Sequence, residues 1–188
     1  PMSFKKWKFF GTYYKFITKT FFAIYAQSRN DLERIKKLTN VNINYIGNLK
    51  LTKKNISFSK FEVSEKINIM IASTHKNEEN LIIPYLETIS KNYPLVNFFI
   101  APRHPNRSKI VYNLIKNKNL DVEYHSKTKS FNYRFLIIDS FGKMEEFFNR
   151  SDIVFLGGSL IQKGGHNPIE AAIANCAIIT GSNVFNWQ

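Results

Sequence analysis

Residues 156–172, LGGSLIQKGGHNPIEAA, hold two glycine pairs, a histidine and an Asn-Pro-x-Glu run that leads into alanines. Asn167 is a strong N-cap residue, Pro168 suits the first helical position, and Glu170 follows in the first turn. Asn-x-x-Glu is close to a capping box. Gly164 and Gly165 stand just before this helix start. They either let backbone N–H groups gather around an anion at the helix's positive end, or form a plain tight turn. Glu170 either closes its own helix start or accepts hydrogen bonds from a ribose diol.

Other side chains with chemistry follow apolar segments. Arg103 comes directly after FFIAP, where its fork of donors suits a phosphate or a carboxylate; the alternative is a solvated side chain after a turn. His104 could donate to a phosphate oxygen or cap the local turn. His75 and His166 have no carboxylate or cysteine at ligand spacing, so no metal is expected. Asp121 and Glu123, in DVE, read as loop acids away from the glycine motifs. The single cysteine, Cys176, lies among small apolar residues as a buried thiol and excludes a disulfide framework. Neither a P-loop lysine motif nor GxGxxG is present. A nucleotide held by a helix start, an arginine and an acid, without metal, points to sugar-nucleotide chemistry.

The elements that would position these residues alternate. Strands are expected at 67–73, 94–102, 133–140, 152–158 and 177–181. Helices are expected at 77–92, 106–119, 142–151 and 167–176, with Pro84 kinking the first or delaying its start. This alternation predicts an α/β fold with an open parallel sheet covered on both faces. Ligands of such sheets collect at the carboxyl ends of the strands. That rule selects four loops: Ser73, Thr74 and His75; Pro102, Arg103 and His104; residues 140–144; and residues 157–170. Three of the four histidines fall in them. Upstream, buried strands are expected at 22–27 and 41–48, with a helix after Ser28 capped through Asp31. Residues 51–65 read as a lysine-rich linker between a unit at 1–50 and a Rossmann-like unit at 66–188.

The chain has 188 residues, 44% of them hydrophobic, which suffices for a packed core. Its net charge of +13 is uneven: residues 1–60 carry 13 basic and 2 acidic side chains, residues 61–188 carry 14 and 12. An acidic partner for the first third is implied. Residues 4–22 are aromatic and basic with no acid. As one helix, they would place Trp7, Phe10, Tyr14, Ile17 and Phe21 on one face and Lys5, Lys8, Lys15 and Lys19 on another. That helix either packs on its own domain or lies on an anionic membrane surface. Nucleic acid is disfavoured because no RNA-binding signature motif is present. No apolar run reaches the roughly 18 residues that span a bilayer, and no signal-peptide pattern is seen, so a cytosolic, reduced protein is expected.

Seven segments in order, AQSRNDLERIKKL, IGNLK, IASTHKNEE, APRHPNR, DSFGKMEEFF, SDIVFLGGSL and GGHNPIEAA, together resemble the 3-deoxy-D-manno-octulosonic acid (Kdo) transferases of lipid A and lipopolysaccharide biosynthesis. The resemblance runs from about residue 4 to residue 188. It implies a GT-B glycosyltransferase: two Rossmann-like domains, the acceptor side N-terminal and the donor side C-terminal. It implies inverting, metal-independent transfer of Kdo from CMP-Kdo to a lipid A precursor, with no cofactor, at the cytoplasmic face of the bacterial inner membrane. By motif, Pro102 and Arg103 would contact CMP, and Gly142, Lys143 and Met144 would line the cytidine side. Asn167, Pro168, Ile169 and Glu170 would hold phosphate and ribose. Lys50 would stabilise charge on the leaving CMP. Ser73, Thr74, His75, His104, Gly164, Gly165 and His166 are secondary donor-side candidates. The family's catalytic glutamate has no counterpart here, so the chain reads as a donor-binding half with a stub of the acceptor half, incomplete at both ends. KNEE stands where the family has a glycine-bearing loop. Alternatives are a UDP-sugar GT-B transferase or epimerase, or a non-catalytic module that binds nucleotide or membrane.

Overall fold

The computed structural model describes residues 2–47, 49, 65–128, 130–131 and 133–187. Lys50 and all but the last residue of the expected 51–65 linker lie outside them. The chain divides into two compact units, Pro1–Ile56 and Ser57–Gln188.

In the first unit, residues 4–22 form two helices rather than one: α1 (Met2–Phe9) and α2 (Gly11–Lys19). Phe10 leaves helical geometry (φ −97°, ψ 37°) just before a glycine, the weakest helix former after proline. Of the face expected to pack, Tyr14 and Ile17 are half-buried, and Trp7 rests its ring 5.2 Å from that of Tyr14. Phe10 and Phe21 are exposed, and so are Phe9, Tyr13, Phe16 and Phe22. Strand β1 (Ile24–Ala26), helix α3 (Arg29–Lys36) and strand β2 (Ile43–Tyr45) make a βαβ unit, with Ile24 beside Ile43 in parallel register. Ser28 caps α3 as expected: its Oγ accepts the Asp31 N–H at 3.0 Å and donates to Asp31 Oδ2 at 2.7 Å. The expected buried strands are short and one-sided. Ala26 and Ile43 point inward, whereas Tyr25 and Tyr45 are exposed.

The second unit is the predicted doubly covered parallel sheet. Its strands are β3 (Ile67–Thr74), β4 (Val96–Pro102), β5 (Val122–Tyr124), β6 (Phe135–Ile137), β7 (Ile153–Leu156) and β8 (Ala177–Thr180), and all pairs are parallel in the order β5-β6-β4-β3-β7-β8. Helices α4 (Glu78–Asn92) and α5 (Ser108–Lys116) cover one face; α6 (Met144–Asn149) and α7 (Ile169–Ile173) cover the other. Side chains alternate between the two cores along each strand. Met70, Phe99 and Leu136 face one, and Ile71, Phe98, Ile100 and Ile137 face the other. Burial on both sides explains why these strands read as continuous apolar runs. The Arg134 guanidinium donates to the carbonyls of Ser90 and Val96, each at 2.6 Å, joining the end of α4 to the start of β4.

Three expectations are corrected. Asp121–Glu123 is not a plain loop: Val122 begins β5, an edge strand whose Val122 sits beside Phe135. Three residues are too few for a periodic signal. Pro84 does not delay α4, which starts at Glu78 and runs on past the proline. The last helix is shorter than 167–176 and begins two positions later, at Ile169. Pro168 rather than Asn167 occupies the capping position, and the Asn167 Oδ1 accepts the Ile169 N–H at 3.0 Å.

Candidate functional site

The connection after β6 carries the chain across β3, so β7 pairs with β3 on the side opposite β4. The carboxyl ends of β3 and β7 therefore border a topological switch point, the usual ligand crevice of such sheets. Close backbone approach builds this rim. Ser73 has φ 58° and sits at a register shift between β3 and β4. A Cβ on Gly157 would fall 2.5 Å from the Ser73 carbonyl oxygen, so only glycine lets the two strand ends meet. Across the other seam, the Arg103 N–H donates to the Thr74 carbonyl at 2.9 Å.

Two adjacent acids hold the loops. Glu78, wholly buried, accepts the backbone N–H of His75 (2.9 Å) and Gly158 (2.7 Å) on one oxygen and that of Leu160 (3.1 Å) on the other. One carboxylate thus ties the β3 loop to the β7 loop. Glu79 accepts from the Thr74 hydroxyl at 3.0 Å and from the Arg107 guanidinium at 2.9 Å. Asn77 precedes them with φ 78°, a left-handed conformation asparagine tolerates better than most residues.

On this frame the rings of His75 and His166 lie nearly parallel, 10° apart, with their Nε2 atoms 2.8 Å from each other. His104 stands edge-on to His75 at 6.4 Å between centroids. Partial burial, above all, holds both His75 and His166 below the usual imidazole range. The positive charge of Arg103 pushes both the same way, Lys163 and His104 further lower His75, and the Glu78 carboxylate opposes the shift in both. His75, His104, His166 and Arg103 are therefore brought together from three loops. Arg103 and His104 are exposed, and neither side chain has a hydrogen bond among the described residues. His104 does not cap its turn with its ring.

Other candidates are placed differently. Thr74 is fully buried and its hydroxyl is committed to Glu79. Pro102 is buried at the end of β4. The glycine pair is held against neighbouring segments. Gly165 donates its N–H to Gly158 at 2.9 Å, His166 donates to Gly157 at 3.2 Å, and a Cβ on Gly164 would meet the Asn186 side chain at 2.4 Å. The Trp187 indole donates to the Gly165 carbonyl at 3.2 Å. Glu170 does not close the helix start: its carboxylate is exposed and has no hydrogen bond among the described residues. In the loop after β6, Gly142 takes φ 76°, Lys143 pairs with Glu146 at 3.3 Å, and Met144 packs on the core beneath.

Sequence reasoning missed Glu78, Glu79 and Lys163. The two acids resemble ordinary first-turn glutamates, and nothing in their spacing reveals that both turn inward. Among the described residues no group of three or more His, Cys, Asp or Glu side chains could hold a metal ion.

No family model matches the chain. It is 30% identical over 191 residues to a 3-deoxy-D-manno-octulosonic acid transferase of Rickettsia felis, covering 97% of this chain and 41% of that protein. The enzyme of that name from Haemophilus influenzae is 34% identical over 118 residues, covering 62% of this chain and 28% of the relative. The chain thus spans about two fifths or less of these relatives' length. A solved C-terminal CMP-Kdo-binding domain of WaaA from Acinetobacter baumannii superposes with a TM-score of 0.62 at 31% identity, over 65% of each chain. Similarity across nearly the whole sequence, joined to this shared α/β fold, makes the chain a homologue of the Kdo transferases that matches their C-terminal half.

Proposed function

We propose that the second unit binds CMP-Kdo and that the chain is the donor-side part of a Kdo transferase of lipid A biosynthesis. The observation carrying this reading is the 31% identity and common fold with a CMP-Kdo-binding domain. Arg103, exposed beside the switch crevice, would pair with the donor's phosphate. Asn167, Pro168, Ile169 and Glu170 would lie along phosphate and ribose. Glu170 has an exposed carboxylate with no hydrogen bond among the described residues, as an acceptor for a ribose diol requires. Gly142, Lys143 and Met144 would border the base. Lys50 would stabilise negative charge gathering on the departing CMP. The base that deprotonates the acceptor hydroxyl is assigned to the part of the relatives' length that this chain does not span. The chain alone is then expected to bind donor without transferring sugar. No step needs a metal ion in this reading.

Titration with CMP, UMP and CMP-Kdo tests it. Cytidine preference is expected; preference for uridine would turn the reading towards a UDP-sugar enzyme. Glu170→Gln should weaken CMP binding about tenfold, roughly 1.4 kcal/mol, and leave the melting temperature unchanged. Unchanged affinity would remove Glu170 from the site.

Peripheral contact with anionic membrane through residues 4–22 belongs to the same reading. Among the described residues no helix is long and apolar enough to cross a membrane. The exposed aromatics of α1 and α2 alternate with lysines, the composition of an interfacial surface. Co-sedimentation with anionic vesicles should be lost when Lys5, Lys8, Lys15 and Lys19 become Glu. Retained binding would return these helices to a packing role.

A further inference from the structure

We propose that His75 and His166 act as one oxyanion-binding unit, taking up a single proton when a phosphate or carboxylate enters the crevice beyond β3 and β7. The inference rests on the donor-site reading and gives a specific role to two side chains that it holds only as secondary candidates. Its basis is the 2.8 Å contact between the two Nε2 atoms. Two imidazolium rings would each carry a proton on Nε2 and repel, so at least one ring is neutral and accepts the other's N–H. In the all-neutral pair, the ring that donates from Nε2 has a bare Nδ1. A proton taken from solvent at that nitrogen leaves the bond between the rings intact and creates a cation with a free N–H. A second proton would break the bond. The unit's capacity is therefore one.

The surroundings keep that proton off until an anion arrives. Arg103 and His104 approach from the loop after β4, Lys163 from the loop after β7, and burial disfavours charge on both rings. Glu78, from the start of α4, is the opposing charge, and its oxygens are already taken by three backbone N–H groups. A phosphate or carboxylate beside the Arg103 and Lys163 cations reverses the local field and raises the affinity of the pair for a proton. Shared oxyanion chemistry covers both ends of the proposed donor, the nucleotide's phosphate and the sugar acid's carboxylate.

Calorimetry of the whole 188-residue chain, in two buffers of different ionisation enthalpy, counts the protons. The probes are CMP, free Kdo and inorganic phosphate. At about pH 7.5 a phosphate monoester with its second pKa near 6 is already mostly dianionic, so uptake belongs to the protein. Uptake approaching one proton per bound anion is expected, with affinity falling towards about tenfold per pH unit on raising pH. His75→Gln and His166→Gln should each abolish uptake while circular dichroism shows the fold retained. Uptake with CMP alone assigns the unit to the phosphate; uptake with Kdo alone assigns it to the carboxylate. Binding without uptake in the wild-type chain overturns the proposal and leaves the donor reading standing. Uptake with Kdo or phosphate but no affinity for CMP does the reverse. Binding of none of the three probes overturns both.

Discussion

Glu78 and Glu79 are neighbours in sequence, and both turn into the interior towards different partners. Glu78 satisfies three backbone donors in two loops. Glu78→Gln keeps the shape but places an amide NH2 among those N–H groups. A loss of about 2–4 kcal/mol in urea unfolding is expected. A loss below about 0.5 kcal/mol would show that the loops hold without it. The histidine pair gives stability a pH sign. Both rings have folded pKa values below their unfolded ones, so the folded state binds fewer protons. Their contribution is complete above the ordinary imidazole pKa of about 6.5 and is lost as pH falls through the folded values. The urea midpoint should drop between about pH 7.5 and 5, and drop less in a variant with both rings replaced by Gln. An equal drop in both proteins would assign the acid sensitivity to other groups.

At the scale of elements, the seam between β3 and β7 depends on one missing side chain. Gly157→Ala puts a methyl against the Ser73 backbone, which has no flexible end to move aside. A cost of about 1–3 kcal/mol is expected, and the histidine rings should shift apart with it. Chemical-shift changes confined to residue 157 would contradict this. The long strands here were plain in the sequence because burial on both faces makes them continuously apolar. The α3 cap was plain because Ser28 and Asp31 meet within one turn. What stayed hidden is short or long-range. β5 is three residues long, and the break at Phe10 interrupts a pattern that periodicity alone carries through. The loops named from strand ends do lie along one rim, and three of them meet around His75. The spending of Gly165's N–H on Gly158, of Thr74's hydroxyl on Glu79 and of Gly164's space on the C-terminal segment arises from tertiary approach, which spacing does not encode.

Across the whole molecule, charge and core are divided unequally. Thirteen of the 27 basic side chains lie in residues 1–60, while both large clusters of buried apolar side chains belong to the second unit. A chain limited to residues 65–188 should fold by itself and unfold cooperatively in urea, because its sheet is covered on both faces. A broad, gradual transition measured by circular dichroism would count against that. The order of the strands carries a further consequence for how the protein is born. β3 can join β4 soon after both emerge, but its other neighbour arrives 84 residues later, when Asn68 meets Asp152. Until then one flank of the central strand is a raw edge in a growing chain, and the crevice has only one wall. Ligand competence comes last during synthesis, and non-local closure of this kind is the slow part of folding. Chaperone protection would matter most in that interval, when a second nascent chain can offer the same pairing.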